Sequence, residues 1–140
     1  MIIRNLQNTD YERYIKLIDS NISENHFNNF LTNVINKNHI IIVIEDSLQN
    51  IIGTGTLLIE EKLTYGGCKM GHIENILIHE EHRGMRHGET LIEHLLDIAK
   101  KNGCYRVDLN CHSELENFYK KNNFNKDNIS MNIYIKENFK

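Results

Sequence analysis

Apolar and polar positions along this chain change period several times, and each change predicts an element. Residues 2–4 open with a short apolar run, expected as a strand. Beyond Thr9 and Asp10, either of which can cap a helix, Tyr14, Leu17 and Ile18 share one helical face. Ser23 followed by Phe27, Phe30, Leu31, Val34 and Ile35 predicts a second helix, which ends over residues 36–39. Residues 39–45 are rich in Ile and Val and read as a buried strand. Polar residues 46–50 make a turn, and residues 51–60 return as the other arm of an antiparallel hairpin. Gly53 and Gly55 inside that strand imply close approach of another backbone or a ligand.

Tyr65, Gly66 and Gly67 form the next turn, and residues 68–78 a long strand. Residues 88–101 then carry Leu91, Ile92, Leu95, Leu96, Ile98 and Ala99 on one side of a helix, which Asn102-Gly103 stops. A strand follows at 105–110, so the three elements make a β-α-β unit with a parallel, right-handed crossover. Ser113 can cap a short helix ending near Lys121. A last strand is expected over 129–135, where Ile129, Met131, Ile133 and Ile135 alternate with polar residues. No linker or repeat interrupts the order, which predicts one domain over residues 1–140: an α/β chain with one mixed sheet and helices on both faces.

Composition changes this picture little. A chain of 140 residues, 40% hydrophobic and 25% charged, is long enough for a real core. Its net charge of -3 gives no global basic field for nucleic acid. The longest apolar run, residues 40–44, is too short for a membrane span, and the N-terminal residues do not resemble a secretion signal. The three cysteines, Cys68, Cys104 and Cys111, are odd in number and form no CxxC pair, which suggests a reducing, cytoplasmic setting.

The chemistry concentrates in residues 71–101, GHIENILIHEEHRGMRHGETLIEHLLDIAKK. A strand, a turn holding Arg83-Gly84-Met85-Arg86-His87-Gly88 and a long helix follow in order. Unpaired N–H groups and the helix dipole at such a terminus attract phosphate. His79, His82 and His87 lie in the same turn, but their spacing is not that of a tetrahedral zinc site and no Cys is near in sequence, so no metal is expected.

Three segments together resemble the GNAT acetyltransferase superfamily. RGMRHG is similar to its Gln/Arg-x-x-Gly-x-Gly/Ala coenzyme A loop, FYKKNNF at 118–124 to its Leu/Phe-Tyr-x-Lys-x-Gly-Phe segment, and GHIENILI at 71–78 to the strand beside the pantetheine and thioester. GHIEN, RGMRHG, GCYRVDLNC, FYKKNNF and the third-strand segment GTGTLLIEEKL, in order, further resemble the eukaryote-type glucosamine 6-phosphate N-acetyltransferases. Several positions depart from the pattern, among them His112, where some members have Asp and others an apolar residue. Arg86 replaces the loop's middle glycine, Asn75 an Asp, Asn123 the glycine of the last motif, and Tyr134 falls near a basic residue of the final strand. Asn is the non-glycine residue best suited to a left-handed conformation.

The resemblance implies the GNAT fold, with a central, mostly antiparallel sheet. It implies acetyl-CoA as co-substrate, a phosphorylated amino sugar as acceptor, direct transfer in a ternary complex without a cysteine nucleophile or metal, and a homodimer exchanging the last strand. It gives Tyr119 as general acid toward the sulfur, against the alternative of an ordinary core tyrosine. The Ile76 N–H would serve the carbonyl oxygen, provided the strand splays or bulges there. Glu74 would orient or deprotonate the amine, and strict alternation puts it on the face of Ile76. His112 can substitute for a carboxylate near the amine or be a loop histidine of no special role. Coenzyme A contacts fall to Ile76, Leu77, Ile78, Arg83, Gly84, Met85, Arg86, His87, Gly88, Leu115, Tyr119 and Lys120. Sugar contacts fall to Lys62, Glu74, Asn75, Tyr134 and Lys136. A GNAT enzyme for another amine or a protein N-terminus, and an acetyl-CoA-binding regulator without transferase activity, remain alternatives.

Overall fold

Five strands form one sheet in the computed structural model, which describes residues 1–136 and 138. They are β1 (Ile2–Asn5), β2 (His39–Glu45), β3 (Ile51–Glu61), β4 (Lys69–Ile78) and β5 (Cys104–Asp108), in the order β1-β2-β3-β4-β5. The first four pair antiparallel, and β4 pairs parallel with β5. The long helix between these two, α3 (His87–Lys101), is the crossover that a parallel pair requires. The structure divides into two compact units, Met1–Leu109 and Asn110–Lys140, and each is described by itself.

In the first unit the period-2 pattern sorts side chains to two faces. Ile41, Val43 and Ile51 pack with Leu6, Tyr14 and Phe27 beneath helices α1 (Tyr11–Ile18) and α2 (Glu24–Asn33). On the opposite face Ile42, Ile44 and Leu57 are fully buried, as are Leu91, Ile92 and Leu95 of α3. The glycines of β3 belong to this second face. A Cβ on Gly53 would stand 2.8 Å from Ile78 Cδ1, and one on Gly55 2.7 Å from Ile76 Cδ1 and 3.0 Å from Leu95 Cδ1. The close approach expected at these glycines is therefore made by side chains of β4 and α3, not by a backbone or a ligand.

Ser23 caps α2, accepting from the His26 N–H at 3.0 Å. Asp10 instead anchors the N-terminus. Fully buried, it accepts from Arg4 Nη1 and Nη2 at 2.8 and 2.9 Å, from Arg13 Nη2 at 2.6 Å and from the Gln7 N–H at 2.8 Å. Burial pushes its carboxyl up, but Arg4, the Gln7 amide and Arg13 outweigh this and hold it below the usual range.

The second unit holds a 3-10 turn, Ser113–Leu115, and helix α4 (Glu116–Lys121). Asn123 takes φ 72°, the left-handed conformation for which its residue type is suited. The strand expected over 129–135 does not form: Ile129, Met131, Ile133 and Ile135 lie outside any strand and are 84% to 89% exposed. Alternation makes a segment fit for a sheet, but a strand exists only where an edge offers hydrogen-bond partners.

Candidate active site

The site in the first unit is built on an irregularity of β4. Thr54 pairs with Leu77 but Thr56 with Glu74, so Asn75 and Ile76 together stand opposite Gly55. This is a β-bulge, and Asn75 adopts φ 55° to make it. The extra residue reverses the side-chain parity. Before the bulge, Glu74 shares a face with its pair Thr56, and both line an open cavity of about 290 Å³ together with Asn75, Tyr14, Phe27 and Phe30. After the bulge, Ile76 and Ile78 pack toward Gly55 and Gly53 on the α3 face. The expectation that Glu74 and Ile76 share a face is thus corrected. The signal is present in the sequence: Gly71, Ile73, Ile76 and Ile78 occupy one face with a gap of three, not two, across Glu74-Asn75.

Near the bulge β4 also parts from β5. The His79 N–H donates to Ile52 O on the β3 side at 2.8 Å. By alternation the backbone groups of Ile78 and Ile76 point to the other edge, and Ile78 O there accepts from Arg83 Nε at 3.1 Å. On that edge the register with β5 ends at the pair His72 and Asp108. Hence the Ile76 N–H faces an edge with no paired strand among the described residues.

The turn after β4 delivers a second set of free donors. Arg86 is the N-cap of α3 with φ 63° and ψ 18°, and makes no side-chain cap bond. The first N–H of the helix turned back on the chain is that of Thr90, to Arg86 O at 3.1 Å. The amides of His87, Gly88 and Glu89 have no helical acceptor. Gly84 is also left-handed, at φ 79°. Arg86 therefore takes the left-handed backbone that favours glycine. This terminus fits an anionic diphosphate through its free amides and dipole. Arg83, Met85 and Arg86 are exposed around it. The rings of His79, His82 and His87 follow one another at 5.8 and 6.4 Å, and no metal-holding cluster is found among the described residues.

Lys62 lies 3.7 Å from Glu60, which also receives His72. In the second unit Tyr119 is buried, with Phe118 and Phe124 edge-on to its ring at 5.0 and 5.9 Å. Burial, with a smaller contribution from Cys111, pushes its phenol up and holds it protonated. Lys120 pairs with Glu116 at 3.5 Å, and Leu115 is exposed. His112 accepts the Leu115 N–H through its backbone carbonyl at 2.9 Å. Tyr134 and Lys136 lie in the segment without helix or strand.

Residues 2–124 match the sequence pattern of the Acetyltransferase (GNAT) family. The chain belongs to this family. Among relatives of this GNAT protein, a probable glucosamine 6-phosphate N-acetyltransferase 2 of Oryza sativa subsp. japonica is 32% identical, over 95% of this chain and 87% of its own. A glucosamine 6-phosphate N-acetyltransferase of Arabidopsis thaliana is 37% identical over 69% of this chain and 66% of its own. The crystal structure of glucosamine-6-phosphate N-acetyltransferase from Arabidopsis thaliana superposes with TM-score 0.92 at 30% identity, covering 96% of this chain and 98% of that one. An acetyltransferase of Trypanosoma brucei gives 0.90 at 26%, covering 96% and 99%. The mixed, mostly antiparallel sheet expected from the resemblance is the GNAT fold, and the family's reaction is acetyl transfer.

Proposed function

We propose that this GNAT protein transfers the acetyl group of acetyl-CoA to the amine of glucosamine 6-phosphate, giving N-acetylglucosamine 6-phosphate for UDP-N-acetylglucosamine synthesis. The observation that carries this is the β4 bulge directly ahead of an uncapped α3 N-terminus. It stands in a chain whose relatives at 30% identity or more bear that enzyme's name. Acetyl-CoA supplies the activated acetyl thioester. His87, Gly88 and Glu89 amides, with Gly84, Met85 and the side chains of Arg83 and Arg86, hold its pyrophosphate. Leu77, Ile78, Leu115 and Lys120 complete its contacts.

Glu74 orients the acceptor amine in the cavity and takes its proton as the N–C bond forms, with His112 as the alternative acceptor of that proton. The Ile76 N–H donates to the carbonyl oxygen as negative charge develops, a contribution of about 3–4 kcal/mol where such donors have been removed elsewhere. Tyr119 gives its proton to the sulfur as the C–S bond breaks. Asn75, Lys62, Tyr134 and Lys136 serve the sugar and its phosphate. Residues 1–140 act as one domain, in the cytoplasm, where free Cys68, Cys104 and Cys111 remain reduced. A second copy of the chain covers the apolar residues of the 129–135 segment.

A second reading has its own support. The cavity at Glu74 is lined chiefly by apolar and aromatic side chains, including Ile18, Ile22, Phe27 and Phe30, which suits a less polar amine. Thiol release from acetyl-CoA with glucosamine 6-phosphate, glucosamine and a peptide amine separates the readings. Turnover with the phosphorylated sugar far above the others is expected. Turnover only with another amine defeats the acceptor assignment, and tight acetyl-CoA binding without turnover points to a regulator.

A further inference from the structure

We propose that His72 is a positioning residue that fixes where β4 and β5 part, and so holds the bulge that presents Glu74 and the Ile76 amide. The inference rests on the roles given above to those two groups. His72 and Asp108 are the last register pair between the two strands. At that pair the imidazole joins three adjacent strands: Nδ1 meets Asp108 Oδ1 of β5, and Nε2 lies 3.0 Å from Glu60 Oε1 of β3. Lys62, just past the end of β3, faces the same Glu60. Arg106 of β5 stands two pairs back, 3.7 Å from Met70 Sδ. Glu74 follows His72 by one pleat on the same face, and the bulge begins at the next residue.

The chemistry of the ring makes this bracket conditional. A neutral imidazole has one N–H, and its second nitrogen would face a carboxylate with lone pair against lone pair. Only the imidazolium donates to both Glu60 and Asp108. Burial lowers the affinity of the ring for that proton, but the two carboxylates outweigh burial and the balance lies above the ordinary imidazole value. A raised folded value means that the bracket is complete below about pH 6.5 and is lost as pH rises through the folded pKa.

The test follows the imidazole of His72 and the amides of residues 73–77 by NMR over a pH titration, without any acceptor, so that failure of the sugar assignment does not affect it. The amides of residues 74–76 should titrate with the His72 midpoint, and Asp108→Asn should lower that midpoint by about one unit or more. With whichever amine turns over, His72→Gln should lower kcat about tenfold, within the hundredfold that a 1 Å misplacement can cost. It should leave acetyl-CoA affinity within about twofold and remove the alkaline fall of the pH profile. Amides that ignore the His72 titration, a midpoint unmoved by Asp108→Asn, or an alkaline limb retained in His72→Gln would each overturn the proposal. Because Asp108→Asn reports on the bracket directly, failure of His72→Gln to fold leaves the decision intact.

Discussion

Arg86 can be tested by separating its backbone from its side chain. Its φ of 63° lies in the left-handed region, where a residue bearing a Cβ costs roughly 1–2 kcal/mol. Glycine removes that strain but loses about 0.4–1 kcal/mol through the greater freedom of the unfolded chain. Arg86→Ala keeps the strain and deletes the guanidinium, whereas Arg86→Gly deletes both. The glycine variant should therefore be more stable than the alanine variant by about 0.5–1 kcal/mol, which corresponds to about 2–4 °C in Tm for a chain of this size. Urea titration followed by circular dichroism reads the difference, since the same side chain is missing from both. Calorimetric titration with acetyl-CoA reads the guanidinium, whose exposed phosphate contact should be worth about two- to fivefold in Kd, lost in both variants and reduced by added salt. An alanine variant as stable as the glycine one would refute the strain argument. Unchanged affinity in both would leave the backbone amides as the whole of the phosphate site.

Asp10→Asn should lose about 2–3 kcal/mol at neutral pH, below the 3–5 kcal/mol for breaking a fully buried pair because Arg4 and Arg13 are partly exposed and keep Glu45. The native carboxyl is depressed, so its contribution is present above about pH 3.9 and fades as pH falls through the folded value. A difference between the two proteins in urea that stays constant into acid would contradict this. Gly55→Ala places a methyl 2.7 Å from Ile76 Cδ1 and 3.0 Å from Leu95 Cδ1, so a loss of about 1–3 kcal/mol and lower kcat are expected, and a silent substitution would show the bulge to be compliant. Tyr119→Phe should lower kcat by about 10²-fold or more and leave acetyl-CoA affinity nearly unchanged; equal turnover removes Tyr119 as the acid. Ending the chain at Asn128 should convert a dimer to a monomer in light scattering, and a monomeric full-length chain would remove the assignment of the 129–135 segment.

Elements with a strong period are legible in the residues alone. The β2–β3 hairpin, the α3 stripe and the parallel return to β5 follow from side-chain alternation, helical spacing and crossover length. The Ser23 cap and the left-handed Asn123 follow from the chemistry of single residues. Strict alternation misreads two features. The bulge at Asn75-Ile76 slips the period by one, and strict alternation therefore assigns Glu74 to the wrong face. The 129–135 segment carries a strand's pattern, but pairing is a relation between two segments and one segment's pattern does not contain it. The bracket around His72 is hidden from the sequence, since Glu60, His72 and Asp108 meet only through strand register.

Strand order in the sheet is the same as strand order in the chain, and this has a bearing on synthesis. Each strand as it leaves the ribosome finds its partner already made: β2 meets β1, β3 meets β2, and β4 meets β3. No strand waits for a partner beyond the next strand in the chain, and edges left open for long are where nascent chains aggregate. The step from β1 to β2 spans α1 and α2, and the step from β4 to β5 spans α3. From β2 to β4 the sheet can grow one hairpin at a time behind the emerging chain. Because the β4–β5 pair closes last, the edge that carries the Ile76 amide is also the last part of the sheet to be set.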